Sequence, residues 1–154
     1  CLVGSEMCIR DRTTNDYESL KLTNNKRSIN RKSWQYEEID KLLTDPNSQN
    51  YKIYKELIKL IEIRKNQSAF HPNATQFTFN LGKNFFGIWR QSLDKKQSIF
   101  CVTNVTDVFQ YLDLSELNLI GSNEWWDLIS NEIIIDLKAT ISLKAYQTVW
   151  ITNY

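Results

Sequence analysis

Apolar residues along this chain change their period once, and the change divides it. Tyr51, Tyr54, Leu57, Ile58 and Ile61 recur at spacings of three and four, which predicts an amphipathic helix running to Lys65 with Lys and Glu on its other face. Thr44-Asp45-Pro46, just upstream, reads as a stop or cap signal. Beyond His71-Pro72-Asn73 the period drops to two. Phe77, Phe79 and Leu81 alternate with Thr and Asn before a turn at Leu81-Gly82-Lys83-Asn84. FFGIWRQ, a turn at Leu93-Asp94-Lys95-Lys96, and SIFCVTNV predict a hairpin, and VFQYLDL, EIIIDLKATISL and QTVWIT predict further strands separated by Ser, Asn, Gly and Lys turns. The sum is an antiparallel β-sandwich of about 80 residues, enough for an autonomous but marginal core.

Ahead of the helix the pattern is absent. Residues 13–45 are polar, with TNNKRSINRKSW at their centre, and read as a long loop rather than a regular element. Long ordered loops are often functional. The opening dodecamer, CLVGSEMCIRDR, shows neither period, although it holds two of the three cysteines and the only methionine. Glu6-Met7-Cys8-Ile9-Arg10-Asp11 can be written GAG ATG TGT ATA AGA GAC, which resembles the mosaic end of a transposase sequencing adapter, with CLVGS fitting the bases before it. Residues 1–12 are therefore expected to be translated adapter and are set aside from the fold. On this expectation Thr13 marks an arbitrary point inside a longer coding sequence.

Composition then narrows the classes. A net charge of +1 over 154 residues, with 24% charged and 42% hydrophobic, offers no electrostatic case for a nucleic-acid or membrane partner. No stretch approaches the roughly 18 consecutive apolar residues of a membrane span, and with no signal peptide visible a cytoplasmic location is the default expectation. With the dodecamer aside only Cys101 remains, in the apolar run SIFCV, so a disulfide framework and a CxxC metal pattern are both excluded and Cys101 is expected in the core. The Asn-x-Ser/Thr triplets at Asn66, Asn73 and Asn104 are read as unused.

The densest candidate chemistry is Arg27-Ser28-Ile29-Asn30-Arg31. Two arginines at i and i+4 can both turn inward only if each finds acceptors, because a buried guanidinium without them costs several kcal/mol. Two readings stay open: a solvated basic loop, or one fork on sugar hydroxyls or phosphate while the other ties the loop down. Glu37, Glu38 and Asp40 are expected on a solvated loop and outside the catalytic roles. His71 alone cannot build a metal site and reads as a packing or turn residue. Trp89, Trp125, Trp126 and Trp150 read as core or interdomain contacts rather than a sugar-binding face. Trp125 and Trp126 are adjacent, so in a strand one must face outward.

A wider pattern then becomes informative. Asn15-Asp16, Arg27-Ser28-Ile29-Asn30-Arg31, Glu38-Ile39, and a helix leading to Arg64-Lys65-Asn66 and Ala69-Phe70 resemble the C-terminal part of sucrose phosphorylases and related α-glucoside phosphorylases of the α-amylase clan, glycoside hydrolase family 13. Downstream, FHPNATQFTFNLG, FFGIWRQSLDKKQSIFCVTNV and LNLIG are more similar to the branch that includes glucosylglycerate phosphorylases. The resemblance implies an α+β fragment. Residues 13–68 would be the last β-to-α loop and final helix of a (β/α)8 barrel, and residues 69–154 a C-terminal antiparallel β-sandwich domain.

It also implies that Arg27 binds substrate, touching the glucosyl unit of the donor. The reaction would be double displacement with retention, passing an α-glucosyl group from sucrose or a related α-glucoside to inorganic phosphate and giving α-glucose 1-phosphate. Such chemistry needs no metal and no pyridoxal phosphate. The nucleophile and the acid/base would lie upstream, so no catalytic residue is expected in this chain and the chain alone should be inactive. The family motif is altered here, with Lys26 for its Gly, Ser28 for its Asp and Lys32 for its His, which removes an acid and an imidazole beside the arginines. Alternatives are a hydrolase or transglycosylase of the same clan, or a non-catalytic β-sandwich carbohydrate-binding module.

Amplification of the source genomic DNA across the codon of Thr13 should yield coding sequence other than SEMCIRD. Finding SEMCIRD in that DNA would overturn the adapter reading.

Overall fold

A computed structural model of the protein describes residues 15–30, 34–117, 119, 124–134, 136 and 138–153; residues 1–12, Arg31 and Lys32 lie outside the described residues. The chain divides into two compact units, Cys1–Ile61 and Glu62–Tyr154.

In the first unit the long-loop reading of residues 13–45 is corrected: the segment contains two short α-helices and a 3-10 turn. Helix α1 (Tyr17–Thr23) starts at Asp16, whose carboxylate accepts from the Ser19 N–H at 2.8 Å and the Ser19 hydroxyl at 2.7 Å. It stops at Asn24, which takes a left-handed φ of 50° and donates its N–H to the Leu20 carbonyl. A 3-10 turn (Lys26–Asn30) follows, then α2 (Tyr36–Thr44), with Glu37 and Glu38 in its first turn and Lys41 in its last, as the helix dipole favours. Polar end groups, rather than an apolar stripe, specify these helices, and neither α-helix buries a residue. Glu37, Glu38 and Asp40 thus sit on a helix instead of a loop, though exposed as expected.

The third helix, α3 (Gln49–Lys65), matches its predicted stripe. Ser48 accepts from the Tyr51 N–H at 2.9 Å to begin it, and Asp45 and Pro46 separate it from α2. None of its residues is fully buried, but Tyr51, Tyr54, Leu57, Ile58 and Ile61 are all partly buried, while most of the Lys and Glu positions between them are exposed.

The second unit is the expected antiparallel sandwich. Its strands are β1 (Thr75–Phe79), β2 (Phe85–Gln91), β3 (Ser98–Asn104), β4 (Gln110–Asp113), β5 (Trp125–Asp127), β6 (Glu132–Ile134), β7 (Thr140–Leu143) and β8 (Thr148–Asn153). Six form one sheet in the order β1-β2-β3-β8-β5-β6, and β4 pairs with β7 in a second. The run EIIIDLKATISL, read as one strand, is two strands in different sheets. Asp136 breaks it, accepting from the Lys138 N–H on its side chain and from the Ala139 N–H on its carbonyl. Strand β5 has three residues, too few for alternation to show.

Phe100, Val102, Val149, Ile151 and Trp125 of the large sheet face Leu112 and Leu143 of the small one, and these residues form the core. Rings run across the inner face: Phe77 against Trp89 at 4.9 Å, Trp89 stacked on Phe100 at 5.6 Å, and Phe100 against Trp125 at 5.7 Å. Gly87 lies opposite Phe79, whose ring carbons come within 2.9 Å of where a Cβ would stand, so the ring occupies the space a side chain would need. Trp125 is fully buried and Trp126 partly so, the split that adjacency requires.

Two polar groups organise loops of the sandwich, one after β3 and one after β5. Buried Asn104 donates its side-chain amide to the carbonyls of Val108, Leu143 and Lys144, and its Oδ1 accepts from the Thr106 N–H and hydroxyl. An asparagine so placed is closed to modification. At the last residue of β5, Asp127 accepts from the N–H groups of Ile129, Ser130 and Trp150. Asn104→Ala should remove the amide donor from the Leu143 and Lys144 carbonyls, leave that of Val108 with the Thr106 hydroxyl alone, and destabilise the unit by about 2–4 kcal/mol, with no change in strand content by circular dichroism. Urea unfolding checks this; a midpoint unchanged from the parent chain would contradict it.

Candidate functional site

The sequence places its candidate chemistry on the 3-10 turn Lys26–Asn30, and short-range hydrogen bonds explain how that turn is held. The Asn25 side chain accepts the Arg27 N–H at 3.0 Å, an Asx turn that fixes the backbone at Arg27. Ser28 donates its hydroxyl to the Asn25 carbonyl at 2.6 Å and shares a 3.2 Å hydrogen bond with the hydroxyl of Thr23. Thr23 in turn donates to the Ser19 carbonyl at 2.6 Å. A chain of small polar groups therefore runs from the cap of α1 to the arginine.

One bond closes this arrangement. The Asp16 N–H donates to the Ile29 carbonyl at 2.8 Å, joining the Asn15-Asp16 pair to the arginine motif. Two motifs that sequence spacing alone leaves apart are thus brought together, with α1 as the spacer that returns the chain. The Arg27 side chain is exposed, and its guanidinium has no hydrogen-bond or ion-pair partner among the described residues. Ser28 is committed to the Asn25 carbonyl and the Thr23 hydroxyl. Sequence reading identified Arg27 but missed Asn25, whose signal was an Asn two residues before the arginine.

The other candidates fall elsewhere and have structural partners. The Nδ1 atom of His71 accepts the Asn73 N–H at 3.1 Å, while its carbonyl accepts from Arg90 at 2.6 Å. Arg90 also donates to the Ala69 carbonyl at 3.1 Å and to Gln76 at 3.0 Å. Gln97 accepts from the Ala69 N–H and the Ser68 hydroxyl, each at 3.0 Å, and donates to Gln67. These two side chains, which sequence reading passed over, fix residues 67–71 on the outer face of the large sheet. Phe70 completes the contact edge-on against Trp150 at 5.0 Å. Among the described residues no group of three or more His, Cys, Asp or Glu could hold a metal ion, and no helix is long and apolar enough to cross a membrane.

Cys101 lies on that same outer face, paired with Trp150, and is partly rather than fully buried. Burial pushes its thiol up from an ordinary 9.0 to about 12, against a smaller opposing effect of the Arg90 charge. It is a thiol, not a nucleophilic thiolate, at neutral pH.

No family model matches the chain. It is similar to glucosylglycerate phosphorylase of Escherichia coli (strain K12), 27% identical over 140 residues, covering 89% of this chain and 23% of that protein. It is also similar to glucosylglycerate phosphorylase of Allomeiothermus silvanus, 32% identical over 127 residues, covering 82% of this chain and 20% of that one. The chain thus spans about a fifth of the length of the curated relatives it matches. Among solved structures, AmyP in complex with maltose aligns with a TM-score of 0.57 at 13% identity, over 69% of this chain and 21% of that one. An Anoxybacillus α-amylase aligns at 0.53 and 16%, over 71% and 24%. The trehalose-6-phosphate hydrolase of Bacillus licheniformis aligns at 0.50 and 18%, over 73% and 20%. At these identities the structural likeness is one of fold.

The thiol shift has a consequence in solution. A raised folded-state value means that the unfolded chain loses its proton first. Cys101 therefore contributes stability that is full below pH 9 and is lost as pH climbs toward about 12. Alkylation by iodoacetamide at pH 8 should run at least about tenfold slower than for the urea-unfolded chain, and Cys101→Ser should flatten the fall in stability above pH 9. Equal alkylation rates would contradict the assignment.

Proposed function

We propose that this chain supplies the last β-to-α loop, the final helix and the appended β domain of a retaining α-glucoside phosphorylase. The enzyme moves an α-glucosyl group between a glucoside and inorganic phosphate, with a glucosylglycerate-type donor favoured over sucrose. The division intended is 13–68 for the end of the catalytic barrel and 69–154 for the β domain. The observation that carries the reading is an exposed Arg27 guanidinium on a turn anchored to Asp16, in a chain similar over 140 residues to a glucosylglycerate phosphorylase. Supporting it, α3 presents an apolar stripe that no residue of the helix fully buries, as expected of a helix that packs on further structure.

Arg27 is suited to the task it is given. A planar fork with five N–H donors can hold two vicinal hydroxyls at once, and the exposed guanidinium, without a partner among the described residues, gives up no bond to them to do so. Its backbone is fixed by Asn25 and by the Asp16–Ile29 bond, so the fork is presented from a defined point. Glycosyl transfer itself needs a carboxylate nucleophile and a carboxylic acid. The described carboxylates of the first unit are not proposed for either part: Asp16 is used as a cap, and Glu37, Glu38 and Asp40 are on the exposed face of α2. The proposal therefore assigns this chain donor binding and no bond-making step. The 154-residue chain by itself should turn over no glucoside.

In the full-length enzyme recovered from the source DNA, Arg27→Ala should lower kcat/KM by roughly 10- to 150-fold, the loss of about 1.5–3 kcal/mol from charged hydrogen bonds in the transition state. Arg27→Lys should recover little of it. The loss should be the same with the glucoside and, in reverse, with α-glucose 1-phosphate, because both place the same glucosyl unit in one subsite. An unchanged kcat/KM in either direction would return Arg27 to a solvated surface role.

A further inference from the structure

Among the described residues the large sheet ends in two unpaired edges, β1 and β6, and the small sheet leaves the outer sides of β4 and β7 unpaired. An open edge presents unpaired N–H and C=O groups, and proteins ordinarily blunt it with charge, proline or brevity. Three of these edges are blunted. Strand β6 has three residues and begins with Glu132, β4 ends in Asp113, and β7 is flanked by Lys138 and Lys144. Strand β1 is not. It has five residues, TQFTF, no charge between His71 and Lys83, and among the described residues it pairs with β2 alone. Its first four residues are exposed, including the large ring of Phe77, which leaves 45% of its surface open.

We infer that β1 is a self-association edge, on which a second copy of this chain pairs antiparallel about a two-fold axis at Phe77. The sequence of the strand is what selects that occupant. In a two-fold antiparallel pair centred on Phe77, the ring lies opposite its own copy, Gln76 opposite Thr78 of the second copy, and Thr75 opposite Phe79. Every pair is apolar–apolar, polar–polar or Thr–aromatic, and no like charges meet. The contact closes on itself, so it stops at a dimer with one continuous sheet instead of growing into a fibre. On the inner face Phe77 already rests on Trp89 at 4.9 Å, and the pairing extends that row of rings across the axis.

Size sets the strength. A five-residue strand is roughly 17 Å long, and pairing it covers well below the ~800 Å² per partner of a standard stable interface. The dimer is therefore weak, with dissociation in the high-micromolar range, and shows only at high concentration. This inference rests on the β unit alone and does not depend on the activity proposed above.

Sedimentation equilibrium of the 154-residue chain from about 5 µM to 1 mM tests it, together with hydrogen exchange of the β1 amides at both extremes. The chain should shift from monomer to dimer over that range, and the outward amides of Thr75–Phe79 should gain protection only at the high end. Gln76→Lys with Thr78→Lys sets lysine opposite lysine twice and should weaken dimerisation about tenfold or more. Gln76→Glu with Thr78→Lys sets glutamate opposite lysine, keeps an acceptor for Arg90, and should restore or tighten it. Thr78→Lys alone leaves the Gln76–Arg90 bond intact and should weaken it in the same direction, which guards against misfolding of the double-lysine variant. A monomer throughout the range, or a dimer that none of these substitutions moves, would overturn the inference.

Discussion

Strands β2 and β3 carry different burdens on their two faces, and this alternation is the constraint on which the β unit depends. Inward, Trp89 and Phe100 stack and link the ring of Phe77 to that of Trp125, which joins the large sheet to the core over β4 and β7. Outward, their immediate neighbours Arg90 and Ile99 face the segment that enters the sheet from α3. A register slip of one residue would exchange these roles, putting a guanidinium in the core and stranding two large rings in water. The seven-residue ladder between β2 and β3, closed by the Ser92–Gln97 turn, is what forbids that slip. Within that turn the Ser92 hydroxyl, then the Lys96 N–H, hold the Asp94 carboxyl below its usual range.

The outward face holds the segment 67–71. Arg90 spends its donors on the carbonyls of Ala69 and His71 and on Gln76, while Gln97 holds Gln67, Ser68 and Ala69. Ala69 is fully buried between these bonds and the sheet. The chain thus leaves α3 through a short 3-10 turn, and Pro72 follows as a further restriction.

Legibility in the sequence followed the physics of each element. Period-two alternation revealed the β2–β3 hairpin and β8, because each buries one face, and the 3.6 period revealed α3, whose stripe is partly buried while most of its other positions are exposed. Helices α1 and α2 were missed because hydrogen-bonding end groups specify them. Asp16 with Ser19 and Asn24 in the left-handed region do the work that apolar spacing does elsewhere. Strand β5 was too short to show alternation, and the break in EIIIDLKATISL depends on Asp136 closing a turn that an apolar count does not register. At the candidate site, Arg27 was legible through its motif, but the bond from Asp16 to Ile29 that draws Asn15-Asp16 to it is a backbone contact with no residue preference, and spacing cannot announce it.

A turn held by hydrogen bonds among small polar residues presents the Arg27 guanidinium without a partner among the described residues, and the proposal is that it meets a glucosyl donor. The most direct test of that account is the phosphate dependence of the full-length enzyme on an α-glucosylglycerate donor, followed by product analysis. The account predicts α-glucose 1-phosphate, formed with retention and only when inorganic phosphate is present. Free glucose released at the same rate with and without phosphate would contradict it.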